Sequence, residues 1–311
     1  MPTSKRKRVA ALLNRSAGTI ERQGETSLRD ILTAAFQKHG ISANLEFLPG
    51  ADLGPAAERA LKQVLNRELD AVIVGGGDGS IQTVASVFAG SGAPLGILPL
   101  GTLNHFAKDL GIPTTMEEAV GVIATQATHS VDLGEVNGQI FINNSSIGIY
   151  PYMVFVRERE RRRKRLSKWT AMILAGLRVL RYLPLFRLRI RVEGASELIR
   201  SPCVFVGNNE YHLGLRAFGR REGLDRGELC LYAAKAQHRL SLLWFGCRCI
   251  LGSIDQQRDL RILKGGTAEI STRRHWLLVA IDGEVKSMHS PLRYRTRPGA
   301  LRVLAPAPSN G

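Results

Sequence analysis

Apolar and polar positions along this chain follow two different periods. Up to about residue 128, short apolar runs are separated by stretches with helical spacing. "RVAALL" (8–13), "ANLEFL" (43–48), "DAVIV" (70–74) and "PLGILPL" (94–100) read as strands. Leu28, Ile31, Leu32, Ala35 and Phe36 form one stripe of an intervening helix. Ser27 and Asp30 have the spacing of a capping box for it, and Gly40 is placed to end it. Pro55 fits the first turn of a second helix with Ala57, Leu61, Val64 and Leu65 facing inward. Residues 80–89 and 115–126 complete the series. Strands that are apolar almost throughout, alternating with helices, predict an α/β domain with a parallel sheet.

Beyond 128 the period shortens to two. Asn137-Gly138 stands between two strand-like runs, a type I′ hairpin signal. "FRLRIRV" (186–192) alternates strictly, and "PCVFVGN", "GELCLYAA", "LRILKG", "AEIST" and "HWLLVAIDGE" are short and divided by turns. These runs predict a mostly antiparallel β-sandwich. The expected organisation is an α/β domain over 1–130 and a β-sandwich domain over 131–311. Within the second, 157–168 holds eight basic and two acidic residues. That segment leads into Leu166, Trp169, Met172, Ile173, Leu177, Leu180 and Leu183 at helical spacing. A basic amphipathic helix near 157–183 suits the surface of an anionic bilayer, although its stripe would equally pack on the sandwich. Residues 240–253 form a second apolar helical segment.

Composition narrows the class. The 311 residues are 44% hydrophobic and 23% charged, the balance of a globular chain. No uncharged run reaches the roughly 18 residues of a membrane span. The basic N-terminus is followed by too short an apolar run for a signal peptide, so a cytoplasmic protein is expected. A net charge of +16 predicts an anionic partner: nucleic acid, an acidic bilayer or a phosphorylated substrate. Aromatics at 6% and no recognition motif argue against nucleic acid. Cys203, Cys230, Cys247 and Cys249 lack the paired spacing of a zinc site and read as reduced thiols.

Three loops at strand ends carry unusual chemistry: "NRSAGT" (14–19), "GGGDGS" (75–80) and "PLGTLN" (99–104). Ligands of open α/β sheets sit at such carboxyl ends. Glycines let phosphate oxygens approach the amides, and the helix that follows presents its positive end. Ser80 and Thr102 add hydroxyls. Asp78 would repel phosphate, so it is expected to orient a ribose, a metal-bound water or the loop itself. No G-K-[S/T] follows, which excludes a Walker loop, and the G-x-G-x-x-G spacing of a dinucleotide fold is missing.

"GGDGS" (76–80) followed by "PLGTLNHFAKDLGIP" (99–113) resembles the diacylglycerol kinase catalytic-domain family, related to sphingosine kinases and, distantly, NAD kinases. The resemblance implies ATP and Mg²⁺ as cofactors, with Gly76, Gly77, Asp78, Gly79, Ser80, Thr102 and Asn104 holding the nucleotide. Asn14 matches a looser family loop in which Arg15 replaces a proline, and His105 stands where many members have aspartate. "AIDGEV" (280–285) is by pattern a common hairpin turn. The resemblance makes Glu284 the general base, with Asp282 supporting it or the metal. It also implies a second-domain Mg²⁺ loop, whose counterpart "GLDRGELCLY" (223–232) keeps Asp225 but has Arg226 in place of the acid. "NNSSIGIYPYMV" (143–154) resembles the family's entry into its second domain.

The reading is then an ATP-dependent lipid kinase acting peripherally on an anionic membrane, with a diacylglycerol-like or sphingoid acceptor and the nucleotide between the two domains. An NAD kinase-like enzyme and a catalytically silent lipid-binding regulator are the alternatives.

Overall fold

In the computed structural model the residues described are 7–125, 127–155, 185–212, 221, 223–236, 240–242, 244–245, 248 and 255–306. The expected basic helix near 157–183 lies outside them, as does much of the segment 240–253. Among the described residues no helix is long and apolar enough to cross a membrane.

The chain divides into two compact units, Met1–Leu133 with Pro298–Gly311, and Gly134–Arg297. The last strand returns to the first unit, so the second is an insertion and not a tail that runs from 131 to 311.

The first unit alternates strands β1 (Lys7–Asn14), β2 (Ile41–Leu48), β3 (Ala71–Gly76) and β4 (Pro94–Pro99) with helices. The helices are α1 (Gly18–Gln23), α2 (Glu25–Lys38), α3 (Leu53–Leu65), α4 (Asp78–Phe88), α5 (His105–Asp109) and α6 (Met116–Thr125). The strands are parallel in the order β2-β1-β3-β4. All six residues of β3 are buried, because helices cover both of its faces. Helix α2 starts at Glu25, ahead of the Ser27/Asp30 pair, because Gly24 at φ 85° turns the chain there. At the start of α6 the Thr115 hydroxyl bonds the Glu118 carboxylate, side chain to side chain.

The second unit is made of β5 (Thr128–Val136, entering from the first unit), β6 (Gln139–Phe141), β7 (Asn144–Gly148), β8 (Phe186–Val192), β9 (Ala195–Ser201), β10 (Cys203–Asn208), β11 (Leu229–Ala234) and β12 (Leu260–Gly265). It continues through β13 (Thr267–Ser271), β14 (Trp276–Ile281), β15 (Glu284–His289) and β16 (Leu292–Leu304), whose far end rejoins the first unit beside β4. One antiparallel sheet runs β12-β11-β10-β7-β14-β15, and β16-β13-β8-β9 lie in the other. Leu188, Ile190 and Ile270 from one sheet pack with Val204, Leu231 and Val279 from the other. That apolar layer is what makes the unit a sandwich. Asn137 and Gly138 both have positive φ, the type I′ turn that their sequence asks for.

Gly134 on β5 lies opposite Phe141 on β6, and the ring occupies the space of a side chain: a Cβ there would come within 2.2 Å of it. We expect Gly134→Ala to destabilise the fold by about 1–3 kcal/mol through overpacking. Adding Phe141→Leu to Gly134→Ala should recover part of that loss. Urea unfolding of the two single variants and the double variant beside the wild type checks both; an additive double variant would refute the contact.

Candidate active site

In the order β2-β1-β3-β4 the chain reverses its direction of winding between β1 and β3. Such a switch point leaves a crevice at the carboxyl ends of the two strands, where open α/β sheets bind ligands. Asn14 ends β1 and Gly76 ends β3, so the first two glycine-bearing loops leave the sheet at that point.

The loops are bonded to one another. Asn14 Nδ2 donates to Ser80 Oγ at 2.8 Å across the switch point. Its Oδ1 accepts the Ser16 amide at 3.0 Å, which closes the first loop. Arg15, in the place of a proline, turns away to Glu25 and the Phe47 carbonyl and leaves Asn14 undisturbed. The Leu100 and Gly101 amides both donate to Gly76 O at 3.1 Å, and the Thr19 amide donates to Leu100 O. A Cβ on Gly101 would sit 2.4 Å from Gly77 Cα, and one on Gly76 would sit 2.5 Å from Ser80 Oγ. Only bare backbone lets the second and third loops approach this closely.

Asp78 stands at the start of α4. Its carboxylate accepts the amides of His105 at 3.2 Å and Phe106 at 3.0 Å, and so caps α5. Of the roles open to it, orienting the loop is the one the structure displays. His105 contributes that amide, which needs no particular side chain. Asn104, buried and at φ 51°, donates through Nδ2 to the Pro99 and Gly101 carbonyls. Its Oδ1 is buried without a hydrogen-bond partner among the described residues. Thr102 is exposed beside Gly18, and Gly79 lies in the first turn of α4. Asn14, Gly76, Gly77, Asp78, Gly79, Ser80, Thr102 and Asn104 therefore form one cluster in the first unit. The amides of its glycines and the positive end of α4 are suited to the phosphates of a nucleotide.

The second unit holds the other candidates. Asp282 and Gly283, at φ 45° and 90°, turn β14 into β15. Asp282 faces inward: its oxygens accept the amides of Ile142 at 2.8 Å, Asn143 at 2.8 Å and Asn144 at 3.0 Å. Burial pushes its pKa up to about 6, against the opposing pull of those amides and of Arg221. This carboxylate holds the segment before β7 in place. Glu284, two residues on, is exposed at the start of β15. The turn directs the two acids differently, Asp282 to the backbone and Glu284 to the surface.

Sequence reading missed the other supports of that segment. Buried Arg221 donates to the Ile142 carbonyl at 2.6 Å and to Asn143 Oδ1 at 3.0 Å. The Tyr211 hydroxyl donates to the Asn143 carbonyl, and Asn208 Nδ2 to Ile142 O. Nothing in a lone arginine among basic neighbours marks it as buried; the double Asn143-Asn144 was the available signal.

The Mg²⁺ loop implied for the second unit does not fit. Asp225 is exposed, and no group of three acids, histidines or cysteines that could hold a metal occurs among the described residues. Glu210 is instead bracketed by cations, with Lys264 bonded to it and Arg226 Nη1 at 3.9 Å. Cys230 is buried, which pushes its thiol pKa up to about 12 and removes it as a nucleophile.

Comparisons with known proteins bear on the family and the fold. Residues 8–136 match the family model of the diacylglycerol kinase catalytic domain. Residues 152–305 match that of the YegS C-terminal NAD kinase beta sandwich-like domain. A Pseudomonas savastanoi protein named "Probable lipid kinase YegS-like" is 30% identical over 257 residues, 76% of each chain. An uncharacterized protein of Synechocystis is 26% identical over 240 residues, 76% of this chain; the match spans about half, 54%, of that relative's length. A diacylglycerol kinase crystal structure from Bacillus anthracis superposes with a TM-score of 0.67 at 20% identity, covering 98% of this chain and 99% of that one, and shares the fold.

The raised pKa of Asp282 has a signed consequence. A folded-state value above the unfolded one near 3.9 means that the stabilisation is full below that pH and is lost as the pH rises through about 6. We expect wild-type stability to the urea midpoint to fall between about pH 4 and pH 6.5, and Asp282→Asn to lack that slope. Asp282→Ala, which leaves three amides without an acceptor, should lose roughly 3 kcal/mol or more at either pH. Equal slopes in wild type and Asp282→Asn would refute the assignment.

Proposed function

The chain belongs to the diacylglycerol kinase catalytic-domain family, and on that premise we propose that it is an ATP-dependent lipid kinase that phosphorylates a lipid hydroxyl at an anionic membrane surface. The observation that carries this is the bonding of three glycine-bearing loops into one cluster at the β1/β3 switch point. Phosphoryl transfer needs positioning and charge neutralisation more than covalent chemistry, and a bare cradle at a helix N-terminus supplies positioning.

In this reading the backbone of Gly76 to Gly79 and the side chains of Ser80, Thr102 and Asn104 hold ATP, with Asn14 fixing Ser80. Asp78 acts through α5, and keeps the third loop on the second. Glu284 is the general base. It takes the proton of the acceptor hydroxyl, whose oxygen bonds the γ-phosphorus while the bond to the β-phosphate oxygen breaks, leaving ADP and a phosphorylated lipid. Asp282 is a positioning residue: the amides it binds fix the turn from which Glu284 projects. Mg²⁺ that accompanies ATP neutralises phosphate charge; Asp225 is not assigned to it.

The test is transfer of labelled γ-phosphate from ATP to a mixed lipid extract on anionic vesicles. Wild type should label a lipid, and Glu284→Gln should lower the rate by about 10²–10⁴-fold while leaving the unfolding midpoint unchanged. Labelling of NAD without any lipid would favour the NAD kinase-like alternative. Vesicle binding with no transfer to any acceptor would favour the silent lipid-binding one.

A further inference from the structure

Strand β8 alternates completely. Leu188, Ile190 and Val192 enter the sandwich core, and Arg187, Arg189 and Arg191 point away from it. The register of the neighbouring strands extends the outward row into a basic surface. Arg200 on β9 lies directly opposite Arg187, and exposed Leu198 lies opposite Arg189. On the other side Ser271 stands next to Arg189 and Glu269 next to Arg191, with Arg293 of β16 beyond it. Glu269 is shared, 3.7 Å from Arg191 and 3.5 Å from Arg293. Among the described residues Arg187, Arg189 and Arg200 have no carboxylate partner.

The arrangement is unfavourable for the isolated sheet. Like charges directly opposite each other on adjacent strands are destabilising, and Arg187 faces Arg200 in that way. Leu198, 73% exposed, stands among these guanidiniums in water. Protecting an edge strand from pairing needs one charge on β9, and not a block across two strands with a leucine inside it. An external anionic surface that also accepts apolar side chains would relieve both.

We propose that the outward face of β8 and β9 in the second unit docks on the anionic headgroups of a bilayer, with the arginines in the headgroup layer and Leu198 below them. The choice of a bilayer rests on the lipid-kinase reading; the charge of the face does not. Nucleic acid fits less well, because base-stacking platforms need aromatic side chains and the outward positions of β8 and β9 carry none. None of its residues belongs to the segment 157–168 or to those assigned to phosphoryl transfer.

The test uses the full chain without ATP, binding to phosphatidylcholine vesicles with and without phosphatidylglycerol, at low and high salt. Wild type should bind only the anionic vesicles, and less at high salt. Arg187→Thr/Arg189→Thr/Arg200→Thr should lower that affinity roughly a hundredfold, since each basic residue near the surface contributes roughly fivefold. The same three positions changed to Lys should keep most of it. If the Thr variant fails to fold, Arg200→Glu on the edge strand alone should lower affinity by about tenfold or more. Wild-type affinity in the Thr variant, or equal losses in the Thr and Lys variants, overturns the proposal. An oligonucleotide that displaces wild type from vesicles and no longer binds the Thr variant overturns the choice of partner. Phosphoryl transfer to a detergent-dispersed lipid should persist in the Thr variant. Its loss in wild type as well would count against the kinase reading and leave the docking result standing.

Discussion

The first unit's site depends on two pieces of backbone lying against each other without side chains between them. Gly101 donates its amide to Gly76 O, and Gly77 Cα fills the space where a side chain on Gly101 would go. Everything else in the cluster follows from that approach. It brings His105 and Phe106 within reach of Asp78, and Leu100 O within reach of the Thr19 amide. A methyl on Gly101 would meet Gly77 Cα at 2.4 Å, part β3's loop from β4's and undo those bonds together. These glycines are therefore needed by the fold itself, whatever the loops bind.

The second unit solves a comparable problem with charge. Ile142 and Asn143 lie between β6 and β7, and Asn144 opens β7, so their amides and the Ile142 and Asn143 carbonyls need partners outside the strand ladders. Asp282 takes the amides, Arg221 and Asn208 take the Ile142 carbonyl, and Tyr211 takes that of Asn143. Buried backbone groups have to be paired, and here side chains from distant stretches do it. Asp78 and Asp282 thus act alike: each is an acid in a glycine-rich turn whose oxygens hold backbone amides. A carboxylate engaged in this way has its oxygens occupied by amides of its own chain. Glu284, on the strand after its turn, is instead exposed.

Strand periodicity made the fold legible. Buried runs such as "DAVIV" and the alternation of "FRLRIRV" report which faces are covered, and these are properties of the local chain. The return of β16 to the first unit was not legible, because its pairing with β4 depends on residues about two hundred positions apart. The glycine cluster was readable because a backbone that must come close can use only one residue type. The direction of the acids was not: "AIDGEV" reads identically whether Asp282 points to solvent or to the Ile142 amide. Arg221 was invisible for the opposite reason, since arginine is common in this chain and burial is decided by the carbonyls around it.

Arg226 shows how a change of one residue alters the electrostatics of a loop without removing them. A divalent cation there would gather carboxylates from several elements and hold them by coordination. Arg226 and Lys264 instead bring positive charge to Glu210 on side chains that belong to the chain itself. Such exposed pairs contribute little individually, on the order of 0–1 kcal/mol. The loop must then be fixed mainly by other means, and the Arg226 amide bonded to buried Asn209 Oδ1 is one of them. Its neutralising charge is consequently present at any metal concentration.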